Sequence, residues 1–112
     1  MAKKLYKPIL IDSIKAGEDV EQYRFIGFDG NYCKSGAKAL GVCDVSTEKD
    51  QMIPVCVSGI LLVEAAEDIL AGEEVTSDSY GKAIVVSRTG NINGYALDAG
   101  SEGDIIRIVR GI

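Results

Sequence analysis

The chain has 112 residues and a mass of 11.9 kDa, with 46% hydrophobic and 26% charged residues, which is the size and make-up of one globular domain. Twelve Lys and Arg face 17 Asp and Glu, a net charge of −5, which argues against a general nucleic-acid binder. There is no His, so Ser-His-Asp, Cys-His and His-ligated metal schemes are excluded.

Charge is uneven along the chain. Residues 1–8 carry Lys3, Lys4 and Lys7 and no acid, whereas residues 9–112 carry the 17 acids against nine basic residues. The pattern predicts a flexible basic arm over 1–8 ahead of a single β-rich domain over 9–112. On the functional reading the arm docks on an acidic or apolar partner surface. The arm lacks the apolar run of a signal peptide. No apolar stretch approaches the roughly 18–20 residues of a membrane span.

Beyond the arm, short β-rich runs alternate with turn signals. Residues 22–28 (QYRFIGF) precede Asp29-Gly30-Asn31, and residues 39–45 (ALGVCDV) follow. Residues 52–63 (MIPVCVSGILLV) alternate, with Ile53, Val55 and Val57 on one face and Pro54, Cys56 and Ser58 on the other. Residues 63–70 (VEAAEDIL) have helix formers for one short turn at most. Residues 82–88 (KAIVVSR) follow Tyr80-Gly81; 90–94 (GNING) is a turn; 104–110 (DIIRIVR) closes the chain as a strand. This spacing predicts a mainly β fold, a small barrel or sandwich.

A weak internal repeat runs through the body. Residues 14–20 (IKAGEDV) match 69–75 (ILAGEEV) at an offset of 55, 41–43 match 94–96 at 53, and 53–60 match 105–112 at 52. Two quasi-repeated halves that share one core are expected, because neither could bury its apolar face alone.

No cluster amounts to a catalytic set, and no cofactor or metal is expected. Cys33, Cys43 and Cys56 form no C-x-x-C pair, and the last two lie in apolar runs, as buried thiols do. Glu18-Asp19 and Glu73-Glu74 read as solvated turn carboxylates. Asp29-Gly30-Asn31 lacks the remaining ligands of a calcium loop, and Gly81-Lys82 lacks the rest of a P-loop. Tyr23, Arg24, Phe25 and Phe28 offer an aromatic-basic face, but core aromatics explain them better.

Residues 71–83 (AGEEVTSDSYGKA), 94–104 (GYALDAGSEGD) and 106–108 (IRI) resemble the capsid cement, or head decoration, proteins of tailed bacteriophages. The first-half stretches Ile-Gly-Phe-Asp-Gly-Asn, Ala-Leu-Gly-Val-Cys and Val-Cys-Val-Ser-Gly-Ile fit the same layout, so the resemblance spans roughly 9–112. It implies a small β-clip or β-tulip fold and a non-enzymatic structural role. Such a protein binds the exterior of the expanded capsid and clamps neighbouring major capsid protein subunits, as a homotrimer on the virion, after synthesis in the bacterial cytoplasm. Neither nucleic acid nor membrane is an implied partner. The resemblance gives the arm, Ala2, Lys3, Lys4, Leu5, Tyr6, Lys7 and Pro8, to capsid binding. Two other likenesses are weaker. Residues 68–76 resemble the first turn of β-clip accessory domains of sugar-acid enzymes, without their second motif. Lys82 fits the modified lysine of a lipoyl or biotinyl carrier poorly.

Overall fold

A computed structural model describes residues 7–111, which form eight strands and, among these residues, no helix. They are β1 (Lys7–Lys15), β2 (Arg24–Ile26), β3 (Gly41–Cys43), β4 (Met52–Glu64), β5 (Glu74–Ser77), β6 (Ala83–Val85), β7 (Gly94–Ala96) and β8 (Ile105–Arg110). They join one antiparallel sheet of order β2-β3-β4-β8-β7-β5-β6, with β1 on β4 outside that path. The sheet curls into a small barrel-like body around its apolar residues.

The strand predicted over 52–63 is the spine. Before Gly59, Ile53 and Val55 pack into the smaller core with Ala16, Val20, Ile26 and Cys43. Beyond it, Leu61 and Val63 pack into the larger core with Phe25, Val75, Ile106 and Ile108. Cys56, on the opposite face from Val55, also lies in the larger core, so β4 is covered on both sides. The switch happens where the ladder to β1 slips at Leu10 and Ser58. Gly59 sits there with φ +108, and a Cβ on it would strike the Lys7 carbonyl, so the kink requires glycine. Residues 63–70 make no helical turn. Val63 and Glu64 finish β4, and Ala65 and Ile69 are pinned by bridges to Ala83 and Gly100.

The two halves are real, but of the three sequence matches only that of 41–43 with 94–96 keeps its register in the fold. Ile14↔Ile53 and Lys15↔Met52 recur as Val63↔Ile106 and Glu64↔Ile105. Val42↔Cys56 and Cys43↔Val55 recur as Tyr95↔Val109 and Ala96↔Ile108. Phe25↔Val42 and Ile26↔Gly41 recur as Glu74↔Tyr95 and Val75↔Gly94. The bridge Val20↔Thr47 recurs as Ile69↔Gly100. Residues 14–26 thus map onto 63–75 at an offset of 49, and 41–56 onto 94–109 at 53. Backbone strain follows the same map: Tyr23 (φ 65) matches Gly72, and Asp50 (φ 72) matches Gly103. The likeness of IKAGEDV to ILAGEEV therefore does not mark equivalent positions. β4 serves twice: its first part closes half one and its second part opens half two.

Candidate assembly interface

The feature that stands out is β1. It pairs only with β4, so among the described residues its other edge is bare over nine residues. Ile9, Leu10 and Ile11 are 83%, 53% and 52% exposed. Alternation puts successive side chains on opposite faces, so three apolar residues in a row make both faces of the edge apolar. The slip opposite Ser58 puts an extra residue, Ile9, between Pro8 and Leu10 and leaves it outside the ladder. A long apolar edge is a surface made for pairing, and proteins that must stay solitary blunt it. The blunting here is confined to Lys7 and Pro8 at one end, Asp12 in the middle and Lys15 at the other end.

Of the arm residues, Lys7 and Pro8 begin β1, opposite Ile60 and Gly59. Ala2, Lys3, Lys4, Leu5 and Tyr6 lie outside the described residues. No single motif marks residues 9–11 as an edge. Their unbroken aliphatic run before a polar Asp-Ser pair is the one sequence signal for it.

The other candidate groups are structural. Arg24 is buried; its guanidinium donates to Glu21 Oε2 at 2.8 Å and to the Tyr80 carbonyl at 3.1 Å and stacks 5.5 Å from the Tyr32 ring. Phe25 is core, so no aromatic-basic face exists, and Phe28 projects alone. Three of the four paired acids fasten loops rather than standing free in solvent. Glu18 accepts from the Tyr32 amide, Asp19 from the Lys49 amide and Glu73 from the Leu70 amide. Asp29 closes an Asx turn on Asn31, and those two hydrogen bonds hold its pKa down. Lys82 pairs with Glu64 at 3.3 Å.

Cys33, Cys43 and Cys56 are buried and unbridged. Desolvation pushes all three thiols up, Cys43 and Cys56 to about 11, with Asp44 adding to the effect at Cys56. They are protonated at neutral pH and supply no thiolate nucleophile. Among the described residues no group of His, Cys, Asp and Glu could hold a metal ion.

This geometry suits a part that is assembled onto something, and comparison with known proteins agrees. No curated protein matches the chain. Among solved structures, the N base of the head fiber gp8.5 of bacteriophage phi29 has the same fold, with a TM-score of 0.78 at 18% identity over 91% of this chain and 93% of that one. The phage cement protein family matches residues 7–111. The chain belongs to that family and is a structural, capsid-associated protein of a bacteriophage.

Proposed function

We propose that the protein binds the exterior of the expanded phage capsid and stabilises it by clamping neighbouring major capsid subunits, with β1 and the segment ahead of it as the contact. The observation that carries this is the bare, apolar edge of β1. An extended segment of the capsid protein can add there as a further strand, with main-chain hydrogen bonds giving affinity and Ile9, Leu10 and Ile11 giving apolar contact. Residues 2–6 precede that strand in the sequence, and Lys3, Lys4 and Lys7 suit acidic capsid loops. The homotrimer comes from the family resemblance; repetition over a symmetric shell would let individually weak contacts hold by avidity.

The test is co-sedimentation with expanded capsids that lack the protein, comparing the full chain with one lacking residues 2–8. Saturable binding weakened by the truncation supports the whole reading. Equal binding moves the contact onto β1 and the rest of the body. No binding by either chain, with capsids of the encoding phage, refutes it.

A further inference from the structure

A groove of about 380 Å³ opens where the ends of β7 and β8 meet the middle of β4, bounded by Lys38, Ser58, Tyr95 and Arg110. None of its lining residues is acidic, in a chain whose net charge is −5. Arg110 is half-buried, and among the described residues it is held by carbonyls alone. Nη1 donates to Leu40 and Val57 at 2.6 and 3.1 Å, and Nη2 donates to Ala39 at 2.6 Å. Its Nε–H and the second Nη2 hydrogen have no protein acceptor among the described residues. Every other arginine within the strands has a carboxylate: Arg24 has Glu21 and Arg107 has Asp98. Lys38 lies across the groove, its ammonium 2.8 Å from the Ile92 carbonyl with two hydrogens left over. A partly buried guanidinium held only by carbonyls gains from an anion: an incoming carboxylate would supply both opposite charge and charge-assisted hydrogen bonds. Burial also lowers the Arg110 pKa.

We propose that this groove is a carboxylate-binding site, in which Arg110 takes an acidic side chain of the capsid partner through its spare N–H donors and Lys38 neutralises the remaining charge. Ser58, in the groove wall, pairs with Leu10 of β1, so the groove lies on β4, the strand that carries β1. The identity of the partner rests on the capsid-binding reading; the chemistry of the site does not.

The test therefore starts with the protein alone. Glutarate, inorganic phosphate and uncharged glutaramide are titrated into labelled full-length protein, and the Arg110 Nε–H and the Lys38 and Tyr95 amide resonances are followed. Saturable shifts with glutarate, absent with glutaramide and weaker in Lys38→Met, are expected. Lys38 is exposed, so this variant keeps the fold. Tighter binding of phosphate than of glutarate would overturn the carboxylate assignment, and no saturable shift with either anion would overturn the site. Capsid binding by Lys38→Met is then compared with wild type. A drop of severalfold places the acidic residue on the capsid, and unchanged binding overturns that part of the proposal while leaving the capsid-binding reading intact.

Discussion

Replacing Ile9 and Leu10 together by Ser separates the interface from the fold. Both side chains are mostly in water in the free protein, so the change should move folding stability by no more than about 0.5 kcal/mol. Binding is different. Fully burying an aliphatic side chain is worth about 1.5–3 kcal/mol, and the fractions left to bury are 83% for Ile9 and 53% for Leu10. The pair then contributes about 2–4 kcal/mol to each contact, or about 30- to 1,000-fold in single-site affinity. The entropy cost of association is common to both proteins and cancels in the comparison. The assay is capsid co-sedimentation at graded protein concentration, with urea unfolding as the control. An unchanged binding curve with an unchanged unfolding midpoint would refute the assignment of β1. A collapse of stability would show that the edge belongs to the fold.

Gly41→Ala would drive a methyl group into the Cys56 carbonyl, so it should cost about 3 kcal/mol or more in urea unfolding. Gly94→Ala meets chiefly the Ile108 Cδ1 at 2.9 Å, which can turn aside, and should cost distinctly less. Asp50→Gly removes a non-glycine residue from a left-handed position whose counterpart in the second half, Gly103, is already glycine; the exposed Lys15–Asp50 pair at 3.9 Å adds little, so a gain of about 0.5–1 kcal/mol is expected by thermal unfolding. Cys43 and Cys56 have folded pKa values near 11 against an ordinary 9.0, so their contribution is complete below about pH 9 and is lost as pH rises toward 11. Unfolding followed across that window should show stability falling, with a shallower fall in Cys43→Ala/Cys56→Ala.

The β class, the spine strand and the closing strand were legible because their aliphatic residues alternate. Ile53 and Val55, and likewise Ile106 and Ile108, are all fully buried. The repeat was legible in kind and, at 41–43 against 94–96, in register, but not elsewhere. Sequence matching rewarded the shared Ala-Gly-Glu, whereas the fold preserves hydrogen-bond partners and buried volumes. Tyr23 stands where the second half has Gly72, and Phe25 where it has Glu74, substitutions that no letter-by-letter comparison links. Residues 63–70, expected to hold one helical turn at most, make none, because Ala65 and Ile69 are held by long-range bridges that outweigh local propensity. β1 was missed because its pairing partner lies far along the chain, Lys7 opposite Ile60 and Lys15 opposite Met52, and because Lys7 and Pro8 look like the end of an arm. The carbonyl cage around Arg110 gathers residues from three separate stretches, which no local pattern could announce.

The duplication also accounts for the bare edge lying on β1 rather than on its counterpart. Under the offset of 49, Ile9, Leu10 and Ile11 correspond to Ser58, Gly59 and Ile60 in the second part of β4. There the chain covers itself: Lys7 and Pro8 lie against Ile60 and Gly59, and the Tyr23 carbonyl accepts from the Glu64 amide. Small residues at 58 and 59 suit a place that another strand crosses closely. At β1 none of the described residues occupies the equivalent position, and the side chains there are large and aliphatic. Asp12 replaces the buried Leu61, so β1 has exchanged an inward apolar contact for a charge that discourages unwanted pairing of free copies. Among the described residues the outer edge of β1 stays uncovered and has kept its apolar side chains, and an added strand is what would complete it.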